Sequence, residues 1–163
     1  MRTHPDPTAF WDAASASTRF THPLDVARFA LQVDRSGDIL DFGCGQGRLC
    51  AELVHHGYTN ITGLDSSPEM IRIATQLPAG TFLVNDGVAL PFDDNSFDVV
   101  LLFAVLTCIP DDSHQKRLVA NLRRVLRPGG LLLVSDYPLQ TDVRNRERAE
   151  VTIDPAGTVE LVL

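Results

Sequence analysis

An α/β fold built on a mainly parallel sheet is what these 163 residues predict, and three observations carry the prediction. Short apolar runs alternate with helix-forming segments from residue 38 to residue 135, the pattern of strands joined by right-handed crossovers. The first run passes straight into three alternate glycines, Gly43-Cys44-Gly45-Gln46-Gly47. The second ends beside a carboxylate, Asp65. In an open parallel sheet both features fall at the carboxyl ends of neighbouring strands, where ligand crevices form.

The elements follow in order. Residues 8–33 read as two helical segments split by Thr21-His22-Pro23, with Phe10, Trp11 and Phe20 as packing or covering residues. Residues 38–42 make the first strand, and a helix over about 47–55 stops at Gly57, a residue suited to a helix C-terminus. Residues 60–64 are the second strand. Ser67-Pro68-Glu69 opens a helix with Ser67 as N-cap and Pro68 at its first position. Residues 81–84 form a third strand, followed by the turn Asn85-Asp86-Gly87. The run 97–103 is apolar without a break, as expected of a strand buried on both faces. Asp111-Asp112-Ser113 starts a helix to about Leu126, Arg127-Pro128-Gly129-Gly130 breaks it, and 131–135 is a fifth strand. After Tyr137-Pro138 the pattern weakens to a helix over 139–150 and a hairpin of 151–153 with 158–163.

Composition narrows the function classes. Apolar content of 44% and charged content of 21% are those of an ordinary globular domain. A net charge of −7 weighs against nucleic acid as partner, because phosphate binding needs clustered Lys and Arg. The basic stretch Arg144-Asn145-Arg146-Glu147-Arg148 is interrupted by an acid and reads as a solvated helix face. Cys44, Cys50 and Cys108 have neither disulfide nor zinc spacing, so no metal is expected, and Cys44 reads as a small space-filling thiol. No apolar run approaches the ~20 residues of a membrane span, and the first residues lack a leader's apolar stretch, so a cytoplasmic location is expected.

The glycine loop decides between ligand classes. A phosphate loop needs GxxxxGK[ST], and Gly47 is followed by Arg48-Leu49. A dinucleotide loop prefers GxGxxG with a pyrophosphate at the helix start; here the third glycine comes one residue early. Asp41, two positions before the first glycine, would repel a pyrophosphate and suit a ligand carrying positive charge. Asp65 at the second strand's tip is placed to accept from ribose hydroxyls. The bland readings stay open at this level: three glycines of a tight turn, Asp65 as a helix cap, Asp86 as a turn former, and Asp98 as a structural acid.

Asp41-Phe42-Gly43-Cys44-Gly45-Gln46-Gly47 resembles the first motif of class I S-adenosylmethionine-dependent methyltransferases. Four more stretches match in order: Gly63-Leu64-Asp65-Ser66-Ser67-Pro68-Glu69-Met70, Asn85-Asp86-Gly87-Val88-Ala89-Leu90-Pro91-Phe92, Ser96-Phe97-Asp98-Val99-Val100 into Ala104-Val105-Leu106, and Leu126-Arg127-Pro128-Gly129-Gly130. The likeness spans roughly residues 36–136. It implies a Rossmann-like three-layer sandwich of strand order 3-2-1-4-5 with the C-terminal antiparallel strands reduced or missing. It also implies one domain, with a helical lid over 1–35, a cofactor-binding core over 36–136 and a shortened region over 137–163.

The cofactor implied is S-adenosylmethionine, with S-adenosylhomocysteine as product. By the resemblance, Asp41 faces the methionine amino group, and Gly43, Cys44 and Gly45 form the loop whose backbone approaches the methionyl and ribose parts. Asp65 takes the ribose hydroxyls and Ser66 lies beside the adenine. Asp86 accepts from the adenine amino group with the backbone of Gly87 or Val88 completing its edge, and Phe103 lines the methionine side through its carbonyl. Arg19 is a candidate for the cofactor carboxylate. The reaction implied is in-line methyl transfer to a small-molecule acceptor, which needs alignment and exclusion of water more than a catalytic triad. His22 is the candidate general base, while His55, His56 and His114 read as surface residues. The alternatives are a module that binds the cofactor without transferring a methyl group and, more remotely, an NAD-dependent oxidoreductase. The apolar C-terminal run calls for cover, and a second copy of the chain is one candidate.

Overall fold

The computed structural model describes residues 7–15, 22–109, 111–136 and 158–162. Its centre is a six-stranded sheet of order β3-β2-β1-β4-β5-β6. The strands are β1 (Ile39–Phe42), β2 (Ile61–Asp65), β3 (Thr81–Val84), β4 (Phe97–Phe103), β5 (Leu126–Ser135) and β6 (Thr158–Val162). The first five pair in parallel, and β6 runs antiparallel to β5. The helices are α1 (Pro7–Ala14), α2 (Val26–Gln32), α3 (Arg48–His55), α4 (Pro68–Ala74) and α5 (Asp112–Val125).

The two-residue period of the strands sorts the core into two layers. Ile39, Ile61, Val99 and Leu101 face one cluster with Phe29, Leu49, Leu53 and Tyr58. Leu40, Leu64, Val100 and Leu102 face the other with Phe97, Leu118, Leu122 and Val125. Helices on both faces bury a parallel sheet completely at its centre, hence the unbroken apolar run of β4. At the edge, β3 is half open: Leu83 and Val84 are 38% and 52% exposed.

Local chemistry sets the helix starts. Ser67 accepts a hydrogen bond from Met70 N at 3.1 Å and caps α4, with Pro68 inside its first turn. Asp111 accepts from Ser113 N and caps α5. Asp25 caps α2 through Arg28 N, a start the sequence pattern did not single out. Gly57 adopts φ +89 just past α3.

One expectation is corrected at the C-terminal half. The Arg127–Gly130 stretch does not separate α5 from a strand beginning at Leu131; β5 starts at Leu126 as α5 ends. The pairing with β4 steps from Phe97↔Leu126 to Val99↔Leu131, so the four residues form an irregularity within the strand pair. A Cβ at Gly130 would lie 2.9 Å from the Asp98 carbonyl, which is why the chain is bare there. Arg127 turns back to pair with Asp38 at 2.9 Å and Asp98 at 2.6 Å, stapling β1, β4 and β5 at the end away from the glycine loop. Asp98 is thus structural, and solvent screening keeps the contribution of these half-exposed pairs small.

The apolar C-terminal run forms β6, antiparallel along the outer side of β5. The helix expected over 139–150 and the hairpin strand 151–153 lie outside the described residues. Among the described residues no helix is long and apolar enough to cross a membrane.

Candidate functional site

At the carboxyl ends of β1 to β4 the loops surround a cavity of about 510 Å³. Its floor is the glycine loop. Gly43 N and Cys44 N both donate to the Leu64 carbonyl, at 2.8 and 2.9 Å, binding the loop to the tip of β2. Gly43, Gly45 and Gly47 all have positive φ, a backbone that L side chains rarely adopt. At Gly43 space is also missing: a Cβ would stand 2.3 Å from Val105 Cγ2, in the segment after β4. Gly43→Ala is expected to lower stability by about 2–4 kcal/mol, from overpacking plus backbone strain. Adding Val105→Ala should return the packing part and leave the strain. Urea titration of both proteins checks this, and an unperturbed single variant would refute the close approach.

Asp65 ties the floor to the next element. Its Oδ2 accepts from Gly45 N and its Oδ1 from Ser67 N, both at 2.9 Å, so one carboxylate braces the glycine loop and the entry to α4. Burial raises its pKa above the ordinary carboxylate value, opposed by the N–H groups of Ser67, Gly45 and Ser66. Beyond β3, Asn85 N donates to the Asp65 carbonyl at 2.8 Å. Asp86 Oδ1 accepts from Val88 N at 3.0 Å, and Asn121 of α5 donates to the Val88 carbonyl at 3.1 Å. Gly87 is required at this point too, since a Cβ would meet Phe42 Cζ at 2.7 Å.

Asp41 is the buried acid of the site, 2% exposed. Its Oδ2 accepts from the Cys50 thiol at 3.2 Å. Burial pushes its carboxyl up to about 6, while Cys50 and the positive charge of Arg48 pull it down. The thiols of Cys44 and Cys50 are themselves driven up by burial, which leaves them protonated fillers rather than nucleophiles.

The far wall comes from the segment after β4. Ala104 stands in the left-handed region at φ +56, and its N–H donates to the Ser135 carbonyl at 2.7 Å. Thr107 donates to Asp136 through its N–H at 3.1 Å and its hydroxyl at 2.7 Å, holding this wall to the end of β5. The roof is α1, which contributes Thr8 and Trp11 to the lining. Polar bonds dock it: Gln46 donates to the Ser15 carbonyl and Ser67 Oγ to Asp12, while Arg48 donates to the His22 carbonyl in the segment before α2.

Ten of the residues singled out from the sequence line this one cavity: His22, Asp41, Gly43, Cys44, Gly45, Asp65, Ser66, Asp86, Gly87 and Phe103. The sequence did not single out Arg48, Asn85 or Val105. It also treated His114 as a surface residue; the side chain is exposed but lies at the cavity's edge, with Arg117 one turn on. A helical wheel of α5 with Leu118 and Leu122 on the inner face would have placed both near that edge. Arg19 and Phe20 lie outside the described residues. Among the described residues no group of His, Cys, Asp and Glu is arranged to hold a metal ion.

The Methyltransferase domain family matches this chain over residues 40–134. A phthiotriol/phenolphthiotriol dimycocerosates methyltransferase of Mycobacterium ulcerans is 38% identical over 137 residues, covering 80% of this chain and 47% of that protein. A 2-methyl-6-phytyl-1,4-hydroquinone methyltransferase of Synechocystis is 36% identical over 141 residues, covering 84% and 43%. This chain therefore spans less than half the length of these two relatives. A solved methyltransferase structure from Methanosarcina mazei superimposes with a TM-score of 0.68 at 25% identity, covering 87% of this chain and 77% of that one.

Proposed function

From its place in the class I S-adenosylmethionine-dependent methyltransferases, a family to which this chain belongs, we propose that the protein transfers a methyl group to a hydroxylated or quinol small molecule with an apolar body. The observation that carries the reading is the convergence of Asp41, the glycine loop, Asp65 and Asp86 on one cavity at the carboxyl edge of the sheet. A volume of about 510 Å³ is within the usual range for a bound small molecule.

The donor set fits S-adenosylmethionine. Asp41 and Asp65 are both carboxylates in a half-enclosed site, favourable to a cation and hostile to a pyrophosphate. Each Asp65 oxygen accepts one backbone N–H and keeps a lone pair for a ribose hydroxyl. Asp86 has one oxygen held by Val88 N and the other available to an amino group. Bare backbone at Gly43 and Gly45 lets a ligand sit against the loop. Ser66 and Gly87 flank the adenine position, Cys44 fills the space beneath the loop, and the Phe103 carbonyl borders the methionyl side.

When bound, this cofactor supplies a methyl group already activated on a sulfonium. The chain's own work is then to bind, align and exclude water. Trp11 and the α1 roof close the cavity over the reacting region, and Val105 and Ile109 give an acceptor an apolar surface. His22 is the proposed base for a hydroxyl proton; its carbonyl is fixed by Arg48, which places the residue at the cavity rim. The apolar wall, together with the lipid and hydroquinone acceptors in the relatives' names, supports an acceptor of that class.

Transfer of label from methyl-tritiated S-adenosylmethionine to a panel of quinols, long-chain diols, amines and thiols tests the proposal. Label should move to a hydroxyl or quinol acceptor and fall at least tenfold in His22→Ala. Tight binding of S-adenosylhomocysteine without transfer to any acceptor would favour a non-transferring binding module. Binding of NADH instead would overturn the cofactor assignment.

A further inference from the structure

Arg48 presents an unusual balance of partners. It is the first residue of α3, and its side chain lines the cavity. One terminal nitrogen, Nη2, donates to the His22 carbonyl, and Nη1 stands 3.7 Å from Glu52 Oε2. Its Nε–H is buried and has no hydrogen-bond partner among the described residues. An unsatisfied buried donor is costly, and the Arg48 side chain as a whole is 35% exposed, so its terminal nitrogens can take an anionic acceptor from the cavity.

The nearest acid does not fill that need. Asp41 is close enough for the Arg48 charge to act on its carboxyl, yet no direct ion pair joins them, and the Asp41 Oδ2 is taken by the Cys50 thiol. α3 compensates in part, through Glu52 at 3.7 Å. Its N-cap, Gly47, offers no side-chain acceptor, and its first turn carries no acidic residue. One wall of the cavity thus holds an anion and a cation near each other and not paired with one another. That arrangement complements an α-amino acid, whose ammonium and carboxylate are separated by a single carbon.

We infer that Arg48 binds the α-carboxylate of the cofactor's amino-acid moiety, beside Asp41 at the ammonium. This rests on the S-adenosylmethionine reading above and deepens it by giving the carboxylate a partner on the ordered glycine-loop helix, in place of Arg19. Ligand selectivity follows. A ligand that keeps adenosine and thioether but lacks the amino-acid tail gains nothing from Arg48.

Calorimetry with S-adenosylhomocysteine and 5′-methylthioadenosine on wild type, Arg48→Met and Arg48→Lys separates binding from structure. In Arg48→Met, affinity for S-adenosylhomocysteine should fall about tenfold to a hundredfold, the scale of a lost charged hydrogen bond. Affinity for 5′-methylthioadenosine should stay within about twofold, and Arg48→Lys should recover part of the loss. An equal fall for both ligands would overturn the inference and leave Arg48 as a brace for the His22 segment. No change for either would also overturn it. Should Arg48→Met fail to fold, wild type alone still decides. The decarboxylated analogue of S-adenosylhomocysteine must bind at least tenfold more weakly than the parent, and equal binding refutes the assignment. Wild type that binds neither nucleoside instead refutes the cofactor reading itself.

Discussion

Asp41→Asn is expected to stabilise the protein near neutral pH while weakening cofactor binding at least tenfold. The carboxyl is 2% exposed, and burial raises it to about 6 from an ordinary 3.8. The native state therefore holds this proton more tightly than the unfolded chain does. Between about pH 4 and 6 the folded form binds more protons, so this group's contribution to stability declines as pH rises through that window and stays lost above it. A shift of about two units corresponds to roughly 3 kcal/mol of cost at neutral pH. Asn removes the buried charge, so the difference in melting temperature between variant and wild type should grow from pH 4 to pH 6.5 and then level off. A difference independent of pH would sink the account.

The same titration should govern binding. A ligand ammonium beside Asp41 favours the ionised carboxylate, so wild-type affinity for S-adenosylhomocysteine should decline below about pH 6, approaching tenfold per unit for one linked proton. Asp41→Asn should lack that dependence and bind weakly throughout. On the proposed reading the chain keeps a charge that costs stability because that charge recognises a cation.

Asp65→Ala has the second large expected effect, and it acts on fold and site together. Removal of the carboxylate strands the N–H groups of Gly45 and Ser67, which both donate to it at 2.9 Å. A loss of about 1–3 kcal/mol in stability follows, on the scale of unsatisfied donors. Binding of S-adenosylhomocysteine should fall more than tenfold, because the ribose acceptor is gone and the glycine loop is no longer braced. Asp65→Asn keeps one carbonyl acceptor but turns an NH₂ group towards the other backbone donor, so it should lie between Ala and wild type. Thermal melts and calorimetry on the three proteins check this. An unchanged melting temperature would refute the brace, and unchanged affinity would refute the ribose role.

Much of the architecture was legible because its signals are local. The Ser67-Pro68 start of α4, the stop at Gly57 and the uniform apolarity of β4 each depend on neighbours in the chain. The boundary between α5 and β5 was misread for the converse reason. Pro128-Gly129-Gly130 reads as a break between elements. In the fold, Arg127–Gly130 becomes an irregularity in the β4–β5 pairing, closely packed on Asp98 and held by ion pairs to residues far away in sequence. The pairing of the apolar C-terminal run with β5 was not legible, because an antiparallel partner that follows after many intervening residues leaves no local signal.

For the site, motif spacing was enough to name the residues around the cavity, since glycines and strand-end acids announce backbone conformations and positions that other residues seldom supply. Spacing could not reveal what those residues do to one another. That Asp65 braces two loops, that Val105 fills the space a Cβ at Gly43 would need, and that a half-buried Arg48 acts on Asp41 are outcomes of packing between elements that the sequence pattern does not show. Charge state belongs to the same level. Asp41 is an ordinary aspartate in the chain and a costly buried acid in the fold, because a pKa is set by desolvation and neighbours that only the folded structure assembles.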